Sequence, residues 1–366
     1  MYTQLSKSIN DHRVIILSHF NFSNYGNRLQ SYAVLYLLKS HGIEAVVAAP
    51  HFHPILATFH DIIRMIPSAY ATYRTERFRN FYLFAKENTP YIRFNEKKMI
   101  KVLSSFECVV VGSDQVWSPF FLGRRHNPSD YFLNGINGNK KIALAPSFGM
   151  KSIPDYMTEA YRCGLNSFDQ LSVREESGVE IIRQLTDKVP CVLMDPTIGV
   201  PYEHWKSIAD YGMCPNDSYL LVFFLGSMSY ELRNKVNDYA KDHGLIVLDI
   251  MDTGNPCYKS GPLQLLGLIE RARFVVTDSF HVTVFSIIFN RPFVVVDRKD
   301  DHGRDMLSRL KTLLRHLGCL NMYVNSEDLS FEMPDIDWRV INNRINIEAQ
   351  RINQYLLSEL QRCNVV

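Results

Sequence analysis

The chain has 366 residues, of which 46% are hydrophobic and 21% are charged. That composition is typical of a folded globular protein, and the length suggests two domains. The 40 basic and 38 acidic side chains leave a formal charge of +2. We therefore expect no nucleic-acid partner, because proteins that bind nucleic acids usually carry a strongly basic face.

The cysteines and the apolar stretches indicate a compartment. Seven dispersed cysteines without a CxxC pair favour reduced thiols over a disulfide framework, and therefore a cytoplasmic protein. No uninterrupted apolar stretch approaches the roughly 20 residues that span a bilayer. We expect a soluble protein that can still contact the inner face of the membrane peripherally.

Strands and helices alternate along the first part of the chain. The apolar stretch 13–19 predicts a buried strand, and residues 27–42 predict a helix that ends at Gly42. A basic and aromatic helical insertion is predicted over about 55–100. Further strands are predicted at 44–49, 108–114, 141–149 and 189–197, with a strand that turns into a helix at 171–185. Apolar strands separated by helices predict a parallel sheet covered on both faces.

A second alternation begins after a linker predicted at 199–217. Its strands are predicted at 218–226, 245–250, 274–281 and 293–297, and its helices at 230–244 and 262–273. The stretch 338–361 has helical periodicity and no partner strand. We therefore predict an α/β protein with two Rossmann-like domains, 1–205 and 206–366, which face a central cleft and end in a C-terminal helix.

Polar residues follow the first predicted strand, at the edge where open parallel sheets bind ligands. The stretch "NFSNYGNRLQ" contains Asn24, Gly26 and Asn27. Glycine lets a ligand approach the backbone closely, and the helix N-terminus behind it favours an anion or a hydroxyl-rich ligand. The alternative is a simple glycine turn in which Asn27 caps the helix.

A second strand exit, "VVGSDQVWSP", is more unusual. It places Gly112, Ser113, Asp114 and Gln115 directly after an apolar strand. Trp117, two residues further on, offers a flat face for a sugar ring. We predict that this stretch contributes to substrate binding.

Arg174 and His281 are the residues that we expect to carry chemistry. Arg174 follows another strand, where an arginine can clamp a carboxylate or phosphate through two hydrogen bonds, or form a salt bridge with a neighbouring glutamate. His281 lies with Asp278 and Ser279 at the exit of an apolar strand. A lone histidine on an apolar face is usually a core residue, but this position favours an acid or base that titrates near neutrality.

Several familiar motifs do not occur after any predicted strand. These are the GxGxxG fingerprint, the GxxxxGK[ST] loop and the GxSxG elbow. Nicotinamide chemistry, P-loop phosphoryl transfer and hydrolase-fold acyl transfer therefore lack support.

Six stretches of the chain occur in a fixed order between about residues 14 and 320. They are "NYGNRLQSYAV", "VVGSDQVWSP", "APSFG", "LSVREESG", "MDPT" and "VTDSFHVTVFSIIFNRPFVV". Together they resemble the polysaccharide pyruvyl transferase family. The resemblance implies a GT-B-like fold of two Rossmann-type domains. It also implies transfer of a carboxyethylidene (pyruvate ketal) group from phosphoenolpyruvate to a sugar of a growing surface polysaccharide, on a lipid-linked or nucleotide-linked acceptor.

The implied reaction sets the requirements of the site. Phosphoenolpyruvate carries a carboxylate and a phosphate, so cations must hold it. Protonation of its methylene carbon makes C2 electrophilic, one sugar hydroxyl attacks, phosphate leaves, and a second hydroxyl closes the ketal. These steps need an acid, a base and an anion clamp, but no metal and no redox cofactor. We predict that His281 moves the protons and that Arg174 holds the donor.

The chain departs from the family at two places. Family members often carry aspartate where this chain has Asn27, and many carry Arg-Leu-His where it has Ser-Phe-His at 279–281. The second change removes one cation from the implied donor site at Ser279. Arg304 or Arg309 could replace it; the alternative is that both are solvated charges beside or on an amphipathic helix.

Other functions and another role for the insertion stay open. A GT-B glycosyltransferase with a nucleotide-sugar donor would share this fold, and so would a non-catalytic glycan-binding subunit of a polysaccharide assembly complex. Within the insertion, residues 61–88 mix arginines with aromatic residues, a combination typical of interfacial membrane contacts. The alternative is a helical hairpin packed on the sheet, with its aromatic residues in the core.

Overall fold

The computed structural model describes residues 12–20, 23–51, 55, 72–120, 128–298, 306–325 and 336–366. The strands within these ranges form two five-stranded sheets and one two-stranded sheet. In chain order they are β1 (Val14–Leu17), β2 (Ala45–His51), β3 (Tyr91–Asn95), β4 (Cys108–Val111), β5 (Lys141–Ala143), β6 (Ser172–Val173), β7 (Cys191–Val192), β8 (Tyr219–Phe223), β9 (Ile246–Asp249), β10 (Phe274–Thr277), β11 (Phe293–Val296) and β12 (Tyr323–Val324).

The first sheet has the strand order of a Rossmann fold, β3-β2-β1-β4-β5. All of its neighbouring strands run parallel. The central strands β1 and β4 are apolar and buried along their whole length, because helices cover both faces of a parallel sheet. The order reverses between β1 and β4, so the connections diverge there and open a crevice at the carboxyl ends of these two strands.

The second sheet repeats this arrangement with the order β9-β8-β10-β11-β12. Its strands are also parallel throughout, and its order reverses between β8 and β10. Strand β10 is fully buried. The sequence-based prediction of an α/β protein with two Rossmann-type parallel sheets is confirmed; the proposed division at residue 205 stays a prediction.

Helices connect the strands of both sheets. In chain order they are α1 (Tyr25–Ser40), α2 (Thr72–Asn88), α3 (Met99–Leu103), α4 (Pro128–Tyr131), α5 (Thr158–Asn166), α6 (Glu176–Leu185), α7 (Tyr202–Ile208), α8 (Tyr230–Asp242), α9 (Pro262–Arg271), α10 (Phe280–Ile288), α11 (Met306–Leu317) and α12 (Trp338–Arg362). Short 3₁₀ turns at Pro196–Gly199 and Pro256–Lys259 also take part in the packing between the sheets.

A shared apolar core joins the two sheets. Helices α1, α9, α10 and α12 pack against one another or against the 3₁₀ turn at Pro196–Gly199. Buried side chains from β1 and β10 belong to the same core as those from these helices. The carboxyl ends of β1 and β10 consequently lie on facing sides of the molecule's centre. This arrangement is GT-B-like, as the resemblance implied.

The C-terminal helix α12 begins and ends within one residue of the prediction. The Asp337 side chain caps it by accepting a hydrogen bond from the Arg339 amide at 3.0 Å. At its far end Arg362 donates to the Lys141 carbonyl at 2.6 Å, and the Tyr355 hydroxyl donates to the Ala143 carbonyl at 3.0 Å. The helix therefore returns to the first sheet after the second is complete. No helix in the described ranges is both long and apolar enough to cross a membrane.

The structure corrects the prediction of a wholly helical insertion at 55–100. Strand β3 lies inside it and extends the first sheet by pairing in parallel with β2. It was missed because its residues, YIRFN, form a short strand in which only Phe94 is buried.

In the described part of the insertion, several of the side chains that suggest a membrane contact are buried. On α2 the Phe78, Phe81 and Phe84 side chains are buried, and Arg77 is only 7% exposed. These groups pack into the protein and do not face a membrane. Residues 61–71 lie outside the described residues, so a membrane contact through them stays a prediction.

Candidate active site

Polar side chains from both sheets meet where the strand order of each sheet reverses. The first sheet contributes the residues that follow β1 and β4, and the loops after β6 and β7 add two charged side chains. The second sheet contributes the residues that follow β10, and α11 adds an arginine. Parallel strands present their carboxyl ends at one edge, so residues far apart in sequence come together here.

The first turn of α1 supplies Gly26 and Asn27, as predicted. Asn24 caps the helix by accepting a hydrogen bond from the Asn27 amide at 3.1 Å, and its side chain is exposed. Asn27 is not the cap: its side-chain amide makes a short hydrogen bond to Asp114 Oδ2. The residue that departs from the family's aspartate therefore binds a carboxylate, which an aspartate at this position could not do unless one of the two were protonated.

The exit of β4 is buried and tightly hydrogen-bonded. Gly112 has a φ of +110°, and a Cβ there would lie 2.5 Å from the Leu144 carbonyl oxygen, so only glycine fits. The Ser113 hydroxyl donates to the Ala145 carbonyl at 2.8 Å. Asp114 has a φ of 71° and accepts from the Gln115 amide at 2.8 Å. This stretch holds Asp114 toward the site.

Trp117 does not offer a face to a sugar. Its side chain is 0% exposed and its ring packs against three other rings, those of Phe132, Phe148 and Phe168, at centroid distances of 5.4, 5.5 and 5.6 Å. The prediction of a stacking platform is wrong, because the chain turns inward after Gln115 and places Trp117 in the core beneath the first sheet.

Arg174 is buried among carboxylates. Its Nη1 donates to Asp195 Oδ2 at 2.6 Å, and its Nη2 lies 3.6 Å from Asp114 Oδ1. The side chain is 1% exposed. Its predicted alternative, a salt bridge with an adjacent glutamate, does not occur, since Glu175 instead accepts hydrogen bonds from Ser147 and from two backbone amides. Whether Arg174 also clamps a donor stays a prediction.

Asp195 is a site residue that the sequence reasoning missed. It follows β7 in the stretch "MDPT" and is completely buried. Burial by itself raises the pKa of this carboxyl, but the neighbouring His281 and Arg174 and the Thr197 amide hold the pKa well below its usual value. Asp195 is therefore ionised at neutral pH. The signal in the sequence was an aspartate that directly follows an apolar strand, in the stretch "MDPT".

The pKa of the Asp114 carboxyl is also lowered. Burial raises it, and the charges of Arg174, His19, His281 and Arg309 together outweigh burial. Two carboxylates consequently stay negative inside a site that also contains arginine and histidine. Opposite charges at short range make this possible, since an unpaired buried carboxylate would become protonated instead.

His281 lies in the first turn of α10 and faces the first sheet. Its Nε2 is 3.6 Å from Asp195 Oδ2, and its side chain is 13% exposed. A Cβ on Gly26 would lie 2.1 Å from Nδ1 of the imidazole, so the bare glycine is what admits the ring. The predicted residues Gly26 and His281, more than 250 positions apart, are thus in direct contact.

Arg309 is the predicted cation that the structure brings to the site. It lies on α11, is 2% exposed, and donates to the Gln115 side-chain oxygen when that amide is oriented to accept. Burial and the nearby Arg174 lower the pKa of Arg309 to about 9, so it stays charged at neutral pH. Both guanidinium groups lie near the Phe280 ring, with Cζ of Arg174 at 4.4 Å and Cζ of Arg309 at 5.7 Å from its centroid. Arg304 lies outside the described residues.

Asp278 and Ser279 organise the exit of β10. Asp278 accepts hydrogen bonds from the amides of Leu225 and Gly226 at 2.8 and 2.7 Å and from Arg298 Nε at 3.0 Å. Ser279 caps α10 and is buried. Asp278 thus connects the exits of three strands, β8, β10 and β11. Its partner Arg298 was not identified from the sequence.

The assembled site can bind anions and move protons. Two buried arginines lie beside a histidine, and two ionised carboxylates balance part of their charge. No three His, Cys, Asp or Glu side chains in the described ranges are grouped closely enough to hold a metal ion.

Comparison with known proteins places these residues in a family. The family model described as polysaccharide pyruvyl transferase matches residues 24–301, a range that includes Gly26, Asp114, Arg174, Asp195 and His281. No curated protein matches the sequence.

Solved structures resemble the whole chain at low sequence identity. Staphylococcus aureus MnaA in complex with UDP is 12% identical, covers 97% of this chain and 98% of its own, and has a TM-score of 0.44. An uncharacterised protein from Klebsiella pneumoniae is 12% identical over 86% and 92%, with a TM-score of 0.42. The Escherichia coli ADP-heptose lipopolysaccharide heptosyltransferase II is 13% identical over 93% and 99%, with a TM-score of 0.36. We draw nothing about activity from likeness at this level.

Proposed function

Since the chain belongs to the polysaccharide pyruvyl transferase family, we propose that it transfers a pyruvate ketal from phosphoenolpyruvate to two hydroxyl groups of a sugar. The observation that supports this most is the contact of His281 from the second sheet with Gly26 and Asp195 of the first part of the chain, beside two buried arginines. A proton-transfer group next to an anion-binding cluster meets the requirements of this reaction.

The proposed reaction balances without a cofactor. A proton is added to the methylene carbon of phosphoenolpyruvate, which becomes the methyl group of the ketal. One sugar hydroxyl forms a bond to C2, and the C2–O bond to phosphate breaks. The second hydroxyl forms the other C2–O bond. Of the two hydroxyl protons, one replaces the proton consumed at the methylene carbon and the other leaves with phosphate.

His281 is the group that we assign to proton transfer. It is the histidine that contacts both Gly26 and Asp195, and an imidazole can give one proton to the methylene carbon and take one from a hydroxyl. The low pKa of Asp114 and of Asp195 makes these carboxylates poor proton donors at neutral pH, so we do not assign the acid to them.

Arg309 is the group that we assign to the donor's anionic end. It is buried, lies near the Phe280 ring as Arg174 does, and its guanidinium holds a planar oxygen acceptor, the Gln115 amide, when that amide is oriented to accept. A carboxylate has the same planar shape with a full charge, so it can replace that amide in a two-bonded contact. In this proposal Arg309 takes the place of the cation missing at Ser279.

Arg309→Gln tests this assignment. We expect the KM for phosphoenolpyruvate to rise by about tenfold or more, because a hydrogen bond to a charged group contributes about 1.5–3 kcal/mol. Arg315→Gln is the matched control, since Arg315 lies on the same helix but is exposed and paired with Glu176. Steady-state kinetics with varied donor decides; equal KM values in the two variants would remove Arg309 from the donor site.

The activity itself is tested by incubating the protein with phosphoenolpyruvate and a panel of lipid-linked and nucleotide-linked sugars. Release of phosphate together with a product whose mass has increased by one carboxyethylidene group is the expected result. Release of a nucleotide from a nucleotide-sugar donor, without phosphate from phosphoenolpyruvate, would instead identify a glycosyltransferase. Binding of a glycan with neither release would identify a non-catalytic subunit.

A further inference from the structure

One carboxylate oxygen serves several groups of the site. Oδ2 of Asp195 accepts from Arg174 Nη1 at 2.6 Å, lies 3.4 Å from the Ser113 hydroxyl, and lies 3.6 Å from His281 Nε2. The three groups come from the exits of three different strands, β6, β4 and β10. Asp195 is therefore the point at which the anion-binding and the proton-transfer parts of the site are connected.

The Asp195 carboxylate is held rigidly. Its other oxygen, Oδ1, accepts hydrogen bonds from the Thr197 amide at 3.1 Å and from the Thr197 hydroxyl at 2.8 Å. This contact caps the 3₁₀ turn at Pro196–Gly199, which packs into the core between the sheets. With Oδ1 fixed in this way, Oδ2 cannot turn away from Arg174 and His281.

The histidine ring has a defined orientation relative to this carboxylate. Nε2 is buried and has no hydrogen-bond partner among the described residues, although it faces Asp195 Oδ2. A carboxylate only accepts hydrogen bonds, so the nitrogen that faces it must be the one that carries a proton. The distance of 3.6 Å is longer than a hydrogen bond, as is common for catalytic contacts before substrate binds.

Gly26 leaves the other ring nitrogen available. A Cβ at Gly26 would lie 2.1 Å from Nδ1, 2.5 Å from Cε1 and 2.8 Å from Cγ of His281. These similar distances to three ring atoms place the glycine over the face of the imidazole. The lone pair of Nδ1 lies in the plane of the ring, so the glycine does not cover it.

We propose that Asp195 is the positioning residue of the site: it fixes the proton of His281 on Nε2, and Nδ1 is the atom that exchanges protons with substrate. The same carboxylate holds Arg174, so the proton donor and the cation keep a constant separation. This inference rests on the proposed function for the identity of the substrate, but not for the orientation of the ring.

The charged groups around His281 determine how the proposal is tested. Asp195 and Asp114 face it from the exits of β7 and β4, and Arg174 lies between these two carboxylates. Asp195→Asn removes the nearest negative charge and leaves Arg174 less balanced. Both changes disfavour the protonated ring. Asp114→Asn is the matched control, because it removes a second buried carboxylate that also pairs with Arg174, whereas the carboxylate nearest to Nε2 is that of Asp195.

Nuclear magnetic resonance of the ¹⁵N-labelled imidazole, in the full-length protein without substrate, measures both consequences. His281 is assigned by comparison with His281→Gln. We expect the neutral wild-type ring to carry its proton on Nε2. We expect the ring to lose its proton at a lower pH in Asp195→Asn than in the wild type, with a smaller change in Asp114→Asn. Circular dichroism verifies that each variant is folded.

Two results would overturn the proposal. One is a wild-type ring whose neutral form carries the proton on Nδ1, which can be read even if Asp195→Asn does not fold. The other is a folded Asp195→Asn whose ring titrates as in the wild type. Neither measurement uses phosphoenolpyruvate. If the transferase assay fails, the two measurements still decide whether Asp195 orients His281. Where the transferase assay succeeds, turnover can also be measured against pH. The alkaline side of this profile should lie at lower pH in Asp195→Asn than in the wild type, because the ring loses its proton at a lower pH in the variant.

Discussion

Gly26 and His281 show how much a single missing side chain can matter. The glycine has an ordinary backbone conformation, so the turn does not require it. The requirement comes from the imidazole, which occupies the space that any Cβ would take. The pair therefore couples the first turn of α1 to the first turn of α10, and a change at Gly26 acts on the proton-transfer group without altering that group's chemistry.

Gly26→Ala should lower turnover by about 100-fold or more, because a displacement of about 1 Å in a catalytic group has an effect of that size. The added methyl group has to displace the His281 ring. Gly254→Ala is the control, since a Cβ there meets nothing closer than 3.4 Å. Turnover numbers and thermal melting of both variants provide the test; an active Gly26→Ala would mean that the ring position is not critical.

Helix α2 shows how an insertion can serve as a connection between the two parts of the molecule. Arg77 donates to the Tyr25 hydroxyl at 2.8 Å and to the Tyr258 carbonyl at 3.1 Å. Asn80 donates to the Lys259 carbonyl at 2.8 Å. The helix thereby joins α1, which carries Gly26, to the 3₁₀ turn at Pro256–Lys259 next to the second sheet. An arginine that suggests a membrane surface in the sequence is an internal hydrogen-bond donor in the structure.

Arg77→Met should reduce the free energy of unfolding by about 1.5–3 kcal/mol, the usual contribution of hydrogen bonds to a buried charged group. Arg79→Met is the matched control on the same helix, and because Arg79 is exposed its effect should stay within about 0.5 kcal/mol. Urea unfolding of the two variants gives the comparison. Equal stability would contradict the buried position of Arg77.

The pH dependence of folding is a property of the whole molecule to which the two buried carboxylates contribute. The pKa values of Asp114 and Asp195 in the folded protein lie below the usual aspartate value of 3.8. A group whose pKa is lower when folded stabilises the protein above its unfolded pKa, and that contribution is lost as the pH falls through the folded value. The linkage therefore acts below about pH 4.

The wild type should therefore lose stability steeply between about pH 4 and pH 2. Asp195→Asn should be less stable than the wild type at pH 7 and should lose less on acidification, since its side chain does not titrate. Asp217→Asn, at an exposed position, should keep the wild-type slope. Unfolding free energies at a series of pH values give the slopes; parallel curves for Asp195→Asn and the wild type would show that Asp195 is not a charged partner in the folded state.

The architecture could be read from local patterns. Continuous apolar strands such as 108–111 and helices with regular periodicity such as 338–362 depend on neighbouring residues, so the sequence determined both Rossmann-type sheets and the terminal helix. It also determined which strands are followed by polar residues. The candidate site residues Gly26, Asp114, Arg174 and His281 were found at those positions. Strand β3 was missed because a short strand with one buried residue has almost no pattern.

Only the tertiary structure decided which polar residues meet and which are covered. Trp117 and Asp114 are three positions apart, yet one is in the core and the other in the site, because the backbone turns between them at Gln115. Asp195 acquires its role from Arg174 and His281, which reach it from other strands. Burial and charge pairing depend on distances across the fold, and a pattern of near neighbours along the chain contains no information about those distances.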